Sequence, residues 1–153
     1  MEPAHGGDAV VGAVRGFGVE TMFTLSGAHF NGSRVLADDA VVIGDGGDLV
    51  PLMDADTLFR HGLPVVMIVC NNGIWGLEKH PMRGLYGYDA AADLRPHRRY
   101  DEVVRALDGA GGQVTRPDGI GPAPRRALDS GVPYLVSAST GPADAYPRST
   151  TGV

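Results

Sequence analysis

Two short motifs carry residue types suited to holding a hard cation. Gly44-Asp45-Gly46 follows the apolar stretch Ala40-Val41-Val42-Ile43, and Asn71-Asn72 follows the apolar run at 63–70. Asp45 offers a carboxylate and Asn72 an amide oxygen, while the glycines leave room for a ligand to approach the main chain. Magnesium takes oxygen donors of this kind and commonly shares them with phosphate oxygens, so magnesium with a diphosphate is the natural occupant. The chemistry requires the two turns to meet.

The elements between them predict that they do. A helix-like segment at 52–61 closes at Gly62, where a left-handed cap is expected, and Pro64 prevents its continuation. The stretch 40–70 therefore reads as strand, crossover helix, strand. Such a crossover returns the chain parallel to its start, which brings both strands' carboxyl ends to one sheet edge. Asp45 and Asn72 would then be neighbours in space.

Elsewhere, strands and helices alternate, and the fold class expected is α/β, a parallel-sheet three-layer sandwich. Asp8 is placed to cap a short helix carrying Val10, Val11, Val14 and Phe17, with Gly18 as its stop. Residues 19–25 predict a strand, and Asn31-Gly32-Ser33 a turn or linker at a seam between two units. Residues 73–97 show no clean period and are expected to be mostly loop. Asp101 should cap a helix bearing Val103, Val104, Ala106 and Leu107, ended by the glycines at 109–112, after which Gln113-Val114-Thr115 predicts a short strand. A late, short helix is expected within 118–130 because Pro122 and Pro124 fit only a first turn. Residues 133–138 predict the last strand, and residues from Gly141 onward read as a polar tail.

Composition narrows the function. The 153 residues allow one domain of ordinary size with an adequate core. A formal charge of -5 with only 13 Lys plus Arg leaves no electrostatic footprint for nucleic acid. No apolar stretch is long enough to span a bilayer, and the first residues have neither the basic nor the apolar region of a secretory signal. The single Cys70 excludes an intrachain disulfide and a cysteine-rich metal site, which fits a reducing, cytoplasmic setting. Cys70 itself reads as a buried thiol.

A Gly-Asp-Gly turn at 44–46 followed by Asn-Asn at 71–72 has the spacing of the thiamine-diphosphate motif. The segment TLFRHGLPVVMIVCNNGIWGLEKHP at 57–81, with Leu85-Tyr86-Gly87-Tyr88 and Asp93-Leu94-Arg95-Pro96 after it, resembles the diphosphate-binding domain of acetolactate-synthase-like enzymes. The opening HGGDAVVGAVRGFGVETMFTLSGAHF at 5–30 is similar to the start of that family's pyrimidine-binding domain. The domain division expected is thus a pyrimidine-domain fragment at 1–34, a diphosphate-binding domain at 35–147 and a tail at 148–153.

The resemblance implies thiamine diphosphate and Mg2+ as cofactors. Asp45, Asn72 and the backbone carbonyl of Ile74 would be the metal ligands, and Gly44, Asp45, Gly46, Gly47, Asn72, Ile74, Trp75 and Gly76 the cofactor-binding residues. No catalytic residue is assigned. Family members use a glutamate of the pyrimidine-binding domain to activate the cofactor, and neither that glutamate nor the central domain has a counterpart here. Glu20 precedes the strand and does not take that place. Asp48 would set a like charge near the diphosphate, and a strand with Gly-Asp-Gly also closes the central domain in some relatives, so 38–50 has that origin as an alternative. The function implied is cofactor binding within a carbon–carbon lyase or ligase acting on 2-oxo acids, with little or no activity alone. A non-catalytic module or a degenerate remnant is the alternative. Homodimerisation or pairing with a full-length homologue is the partner expectation.

Other polar groups have plainer meanings. Trp75 reads as a packing anchor, with pocket lining as the alternative. Glu78-Lys79-His80 reads as a solvated charged turn, and Arg95, Arg98 and Arg99 as a surface cluster flanked by Asp93 and Asp101. His29, His61 and His97 lack the spacing of a metal site. Ser26 lacks the preceding glycine of a nucleophile elbow, and Gly44-Asp45-Gly46 lacks the third glycine of a dinucleotide fingerprint.

Overall fold

Val66, Ile68 and Val69 are β-branched, and Pro64 bars helix just before them, so this run is extended rather than helical. The computed structural model describes residues 12, 13, 15, 16, 22–24, 40–44 and 55–142, with 22–24, 40–44 and 77 described as backbone. Its strands are β1 (Met22–Thr24), β2 (Ala40–Gly44), β3 (Val66–Asn71), β4 (Ala110–Val114) and β5 (Tyr134–Ser139). Its helices are α1 (Ala55–Arg60), α2 (Gly76–Tyr86), α3 (Tyr100–Ala106) and α4 (Pro122–Asp129). A 3-10 turn, Pro117–Gly119, precedes α4. Residues 12, 13, 15 and 16 are helical.

The five strands form one sheet in the order β1-β2-β3-β5-β4, and every pairing is parallel. Register places Gly44 beside Cys70 and Asn71 beside Ser139, so the carboxyl ends of the three central strands make one rim. Helices cover both faces, as a buried parallel sheet requires. Val66, Ile68, Val114, Val136 and Ala138 pack with Ala123 and Ala127 of α4. Met67, Val69 and Leu135 point the other way, onto Ala55 of α1 and Tyr100 and Val104 of α3, with Leu58 and Phe59 at the margin. The period of two along β3 and β5 thus sorts side chains into two cores, each buried aliphatic contributing about 1.5–3 kcal/mol. This is the expected three-layer α/β sandwich.

Two glycines let α3 and a tyrosine approach the edge strand closely. A Cβ on Gly111 would lie 2.9 Å from Asp101 Cβ and from the Asp101 carbonyl oxygen, and one on Gly112 would lie 2.9 Å from the Tyr134 hydroxyl. Gly111 and Gly112 therefore belong to β4, which begins at Ala110, and not to a helix stop as the sequence suggested.

Other expectations are corrected in the same way. Residues 76–86 are α2 and not loop, although Pro81 lies inside the helix and lacks the N–H that would bond the Leu77 carbonyl. Gly87, at φ 75°, ends α2 in the left-handed conformation, its N–H donating to the Arg83 carbonyl. Lys79 and Arg83 explain why α2 persists: both reach acidic partners on the following segment. Glu78-Lys79-His80 accordingly lies in a helix, and the Lys79 side chain is only 12% exposed. Asp101 is not a cap; α3 starts at Tyr100 with Arg99 at its N-cap position, and Asp101 is buried in the first turn. Cys70 is half-buried. The expected cap Asp8, Val10, Val11, Val14, Phe17, Gly18, His29, Asn31-Gly32-Ser33, Asp48 and the tail from 143 lie outside the described residues.

Candidate cofactor-binding site

The site is a turn mounted on the central strand. β3 delivers Asn71 and Asn72 to the rim, and Gly73, at φ 72°, reverses the chain in a conformation that favours glycine. The Asn72 side chain folds into this turn: its Oδ1 accepts the Ile74 N–H at 3.0 Å. That Asx-type bond fixes the amide oxygen at the sheet edge. An amide oxygen has two lone pairs, so one remains for a cation.

Asn71 anchors the turn from below. It is 5% exposed, and its Nδ2 donates to the Arg98 carbonyl at 3.0 Å while its own carbonyl accepts the Thr140 N–H at 2.9 Å. The two asparagines thus divide the work, Asn71 as a buried brace and Asn72 as the oxygen at the turn.

Ile74 is 6% exposed and makes an isolated antiparallel bridge with Asp93. The bridge's two bonds run from Trp75 N–H to the Ala92 carbonyl and from Leu94 N–H to the Gly73 carbonyl, both flanking Ile74. Ile74's own carbonyl belongs to neither bond, and antiparallel geometry turns it away from Asp93. Trp75 is 42% exposed, so it is not the packing anchor expected. Its carbonyl accepts the Glu78 and Lys79 N–H groups and starts α2, whose first residue, Gly76, is buried. No side chain caps α2, so its first amides carry the positive end of the helix dipole without a side-chain acceptor.

Among the expected site residues, the structure brings together Asn72, Ile74, Trp75 and Gly76 in one turn, with Gly44 at the end of the adjacent strand. Asp45, Gly46 and Gly47 follow directly and lie outside the described residues. The described groups fit a magnesium diphosphate: a fixed amide oxygen, a main-chain carbonyl clear of the bridge and an uncapped helix start.

Sequence reasoning missed the segment that braces this turn. Lys79 on α2 pairs with Asp93 and stands 3.8 Å from Asp89, while Arg83 pairs with Asp89. The stop signal at Gly87 was the available clue that 76–86 is helical. Nearby, Arg99 holds the fully buried Asp101 by two hydrogen bonds of 2.9 and 2.7 Å. These bonds keep the Asp101 carboxyl below its ordinary range, overcoming the burial that pushes it up. The arginine cluster is therefore partly structural. His61 and His97 are exposed, and no group of three or more His, Cys, Asp or Glu side chains lies together among the described residues.

Residues 17–138 match the family described as thiamine pyrophosphate enzyme, C-terminal TPP binding domain. The chain belongs to this family. Among the thiamine pyrophosphate enzymes, it is 55% identical over 105 residues to the acetolactate synthase large subunit IlvG of Mycobacterium tuberculosis, and equally so to a probable acetolactate synthase of Mycobacterium bovis. Each match covers 69% of this chain and 19% of the relative. The thiamine diphosphate-dependent 4-hydroxybenzoylformate decarboxylase of Rhodococcus jostii RHA1 superposes with a TM-score of 0.62 over 70% of this chain and 20% of that one, at 23% identity, a likeness of fold. The chain is thus homologous to the C-terminal cofactor-binding domain of acetolactate synthase and spans about one-fifth of those relatives' length. None of the described helices is long and apolar enough to cross a membrane.

Proposed function

We propose that the rim at the carboxyl ends of β2 and β3 holds magnesium and the diphosphate of thiamine diphosphate, as the cofactor-binding part of an acetolactate-synthase-like lyase or ligase acting on 2-oxo acids. The turn at Asn72 carries this reading, because its bond to Ile74 fixes an amide oxygen beside a main-chain carbonyl at the tip of a central strand. Asp45, Asn72 and the Ile74 carbonyl would hold the metal. Gly44, Gly46 and Gly47 would offer main-chain amides to the diphosphate, with Trp75 and Gly76 bordering it.

When bound, thiamine diphosphate supplies the carbon nucleophile of the reaction. This chain's part is to bind and orient it. By the resemblance, the family's activating glutamate has no match among these 153 residues, and a positioned acid or base contributes typically about 100- to 10,000-fold. Orientation by a partner domain contributes further. The chain alone therefore has little or no turnover, a homodimer does not repair the defect, and pairing with a full-length homologue does. A cytoplasmic role in branched-chain amino acid biosynthesis follows from the same reading.

Calorimetric titration of thiamine diphosphate with and without magnesium, on wild type, Asp45→Ala and Asn72→Ala, tests cofactor binding. Magnesium-dependent binding lost in both variants supports the site, and equal binding in all three overturns it. Turnover of pyruvate by the purified chain would overturn the inactive-alone proposal.

A further inference from the structure

We propose that Lys79 is a positioning residue for the cation-binding turn, acting through the segment at 89–94. The inference rests on the proposed magnesium site. Lys79 lies on α2 with its side chain 12% exposed, an unusual place for an ammonium unless it is paired. It bonds Asp93 and stands 3.8 Å from Asp89, whose side chain is 9% exposed and also takes Arg83. Asp93 is the bridge partner of Ile74, and its neighbours Ala92 and Leu94 make the two main-chain bonds that flank Ile74.

Lys79 therefore ties the helix that leaves the turn to the strand-like segment that clips the turn. The ammonium's effect reaches the metal in two steps: it holds Asp93 in place, and the bridge then aims the Ile74 carbonyl and stabilises the loop closed by Asn72. The two carboxylates have separate tasks. Asp89 is half-buried and shared with Arg83, so it fixes the ammonium, while Asp93 is 67% exposed and transmits that position to the bridge. Residues supporting a metal's ligands commonly alter affinity by about 10- to 100-fold when changed.

The test titrates Mg2+ calorimetrically into wild type, Lys79→Met, Lys79→Arg and Asp93→Asn, each in the same fixed excess of thiamine diphosphate. Hydrogen exchange at the Trp75 and Leu94 amides is followed in parallel without ligand. Lys79→Met is expected to expose both amides, to leave the β5 amides protected and to weaken Mg2+ by about tenfold or more. Asp93→Asn, changed at an exposed side chain, should do the same in milder form, and Lys79→Arg should restore protection and most of the affinity. Retained protection of both amides in Lys79→Met overturns the proposal, as does exposed amides with Mg2+ affinity within about twofold of wild type. Should Lys79→Met not fold, Asp93→Asn decides on the same two readouts. A wild type that takes up no Mg2+ overturns the proposed site and this role together, whereas wild-type uptake with unaffected variants overturns the role of Lys79 alone.

Discussion

The amide oxygen of Asn72 accepts the backbone N–H of Ile74 at 3.0 Å, so the side chain proposed to meet the cation also shapes its own turn. Removing it has a consequence without any ligand. Asn72→Ala should lower stability by about 0.5–1.5 kcal/mol in urea unfolding, and Asn72→Asp, whose carboxylate can accept the same N–H, should lose less. Equal losses in the two variants would contradict a turn-forming role.

Asp101 makes stability depend on acid. Its folded carboxyl is held below the ordinary range by the hydrogen bonds from Arg99, so the stabilisation is full above the unfolded value of about 3.9 and is lost as pH falls through the folded value. Asp101→Asn should flatten the acid limb of a melting-temperature profile below about pH 4. A wild-type profile equally flat over that range would show that Arg99 gives the carboxylate no preferential hold.

Gly111 is a packing requirement. With Asp101 Cβ and carbonyl each at 2.9 Å from an added Cβ, and the Leu135 carbonyl at 3.0 Å, Gly111→Ala must separate α3 from the sheet. A loss of about 1–3 kcal/mol is expected from denaturant unfolding. Gly121→Ala, where an added Cβ meets nothing within 4 Å, is the control.

Ser137 is fully buried on β5, and its hydroxyl has no hydrogen-bond partner among the described residues. A hydroxyl so placed is desolvated without compensation. Ser137→Ala should therefore leave the melting temperature unchanged or raise it, and a loss of more than about 1 kcal/mol would show that the hydroxyl has a stabilising task.

Trp75 is the single tryptophan and is 42% exposed, which makes its emission a direct report on the turn. Thiamine diphosphate with magnesium should shift that emission in wild type and leave it unchanged in Asn72→Ala. A shift of the same size in both would place the ligand elsewhere.

Much of this fold is legible in the chain because strong local signals agreed with the tertiary outcome. Gly62 and Pro64 marked the end of α1, and the apolar run before Asn71 read as a strand. The parallel pairing of β2 and β3 followed from those signals alone. α2 was obscured because Pro81 and Gly84 oppose helix, while the ion pairs of Lys79 and Arg83 that offset them involve residues far along the chain. Gly111 and Gly112 read as a helix stop because a glycine's role in letting two elements approach leaves no trace in its neighbours. In the proposed site, Asn72 and Ile74 were expected from spacing and family resemblance, and the structure joins them in one turn. The burial of Asp101 and the clip at Asp93 depend on three-dimensional partners, and no periodicity encodes them.

An all-parallel sheet also separates its two ends. The bends feeding β4 and β5, around Gly109 and Gly131, sit at the strands' beginnings, and five or six residues at about 3.3 Å each put them roughly 16–20 Å from the opposite rim. A spectroscopic label or short insertion beside Gly131 would thus ride on the framework at a distance from the proposed metal site, an attachment point for tracking assembly while the opposite rim is left alone.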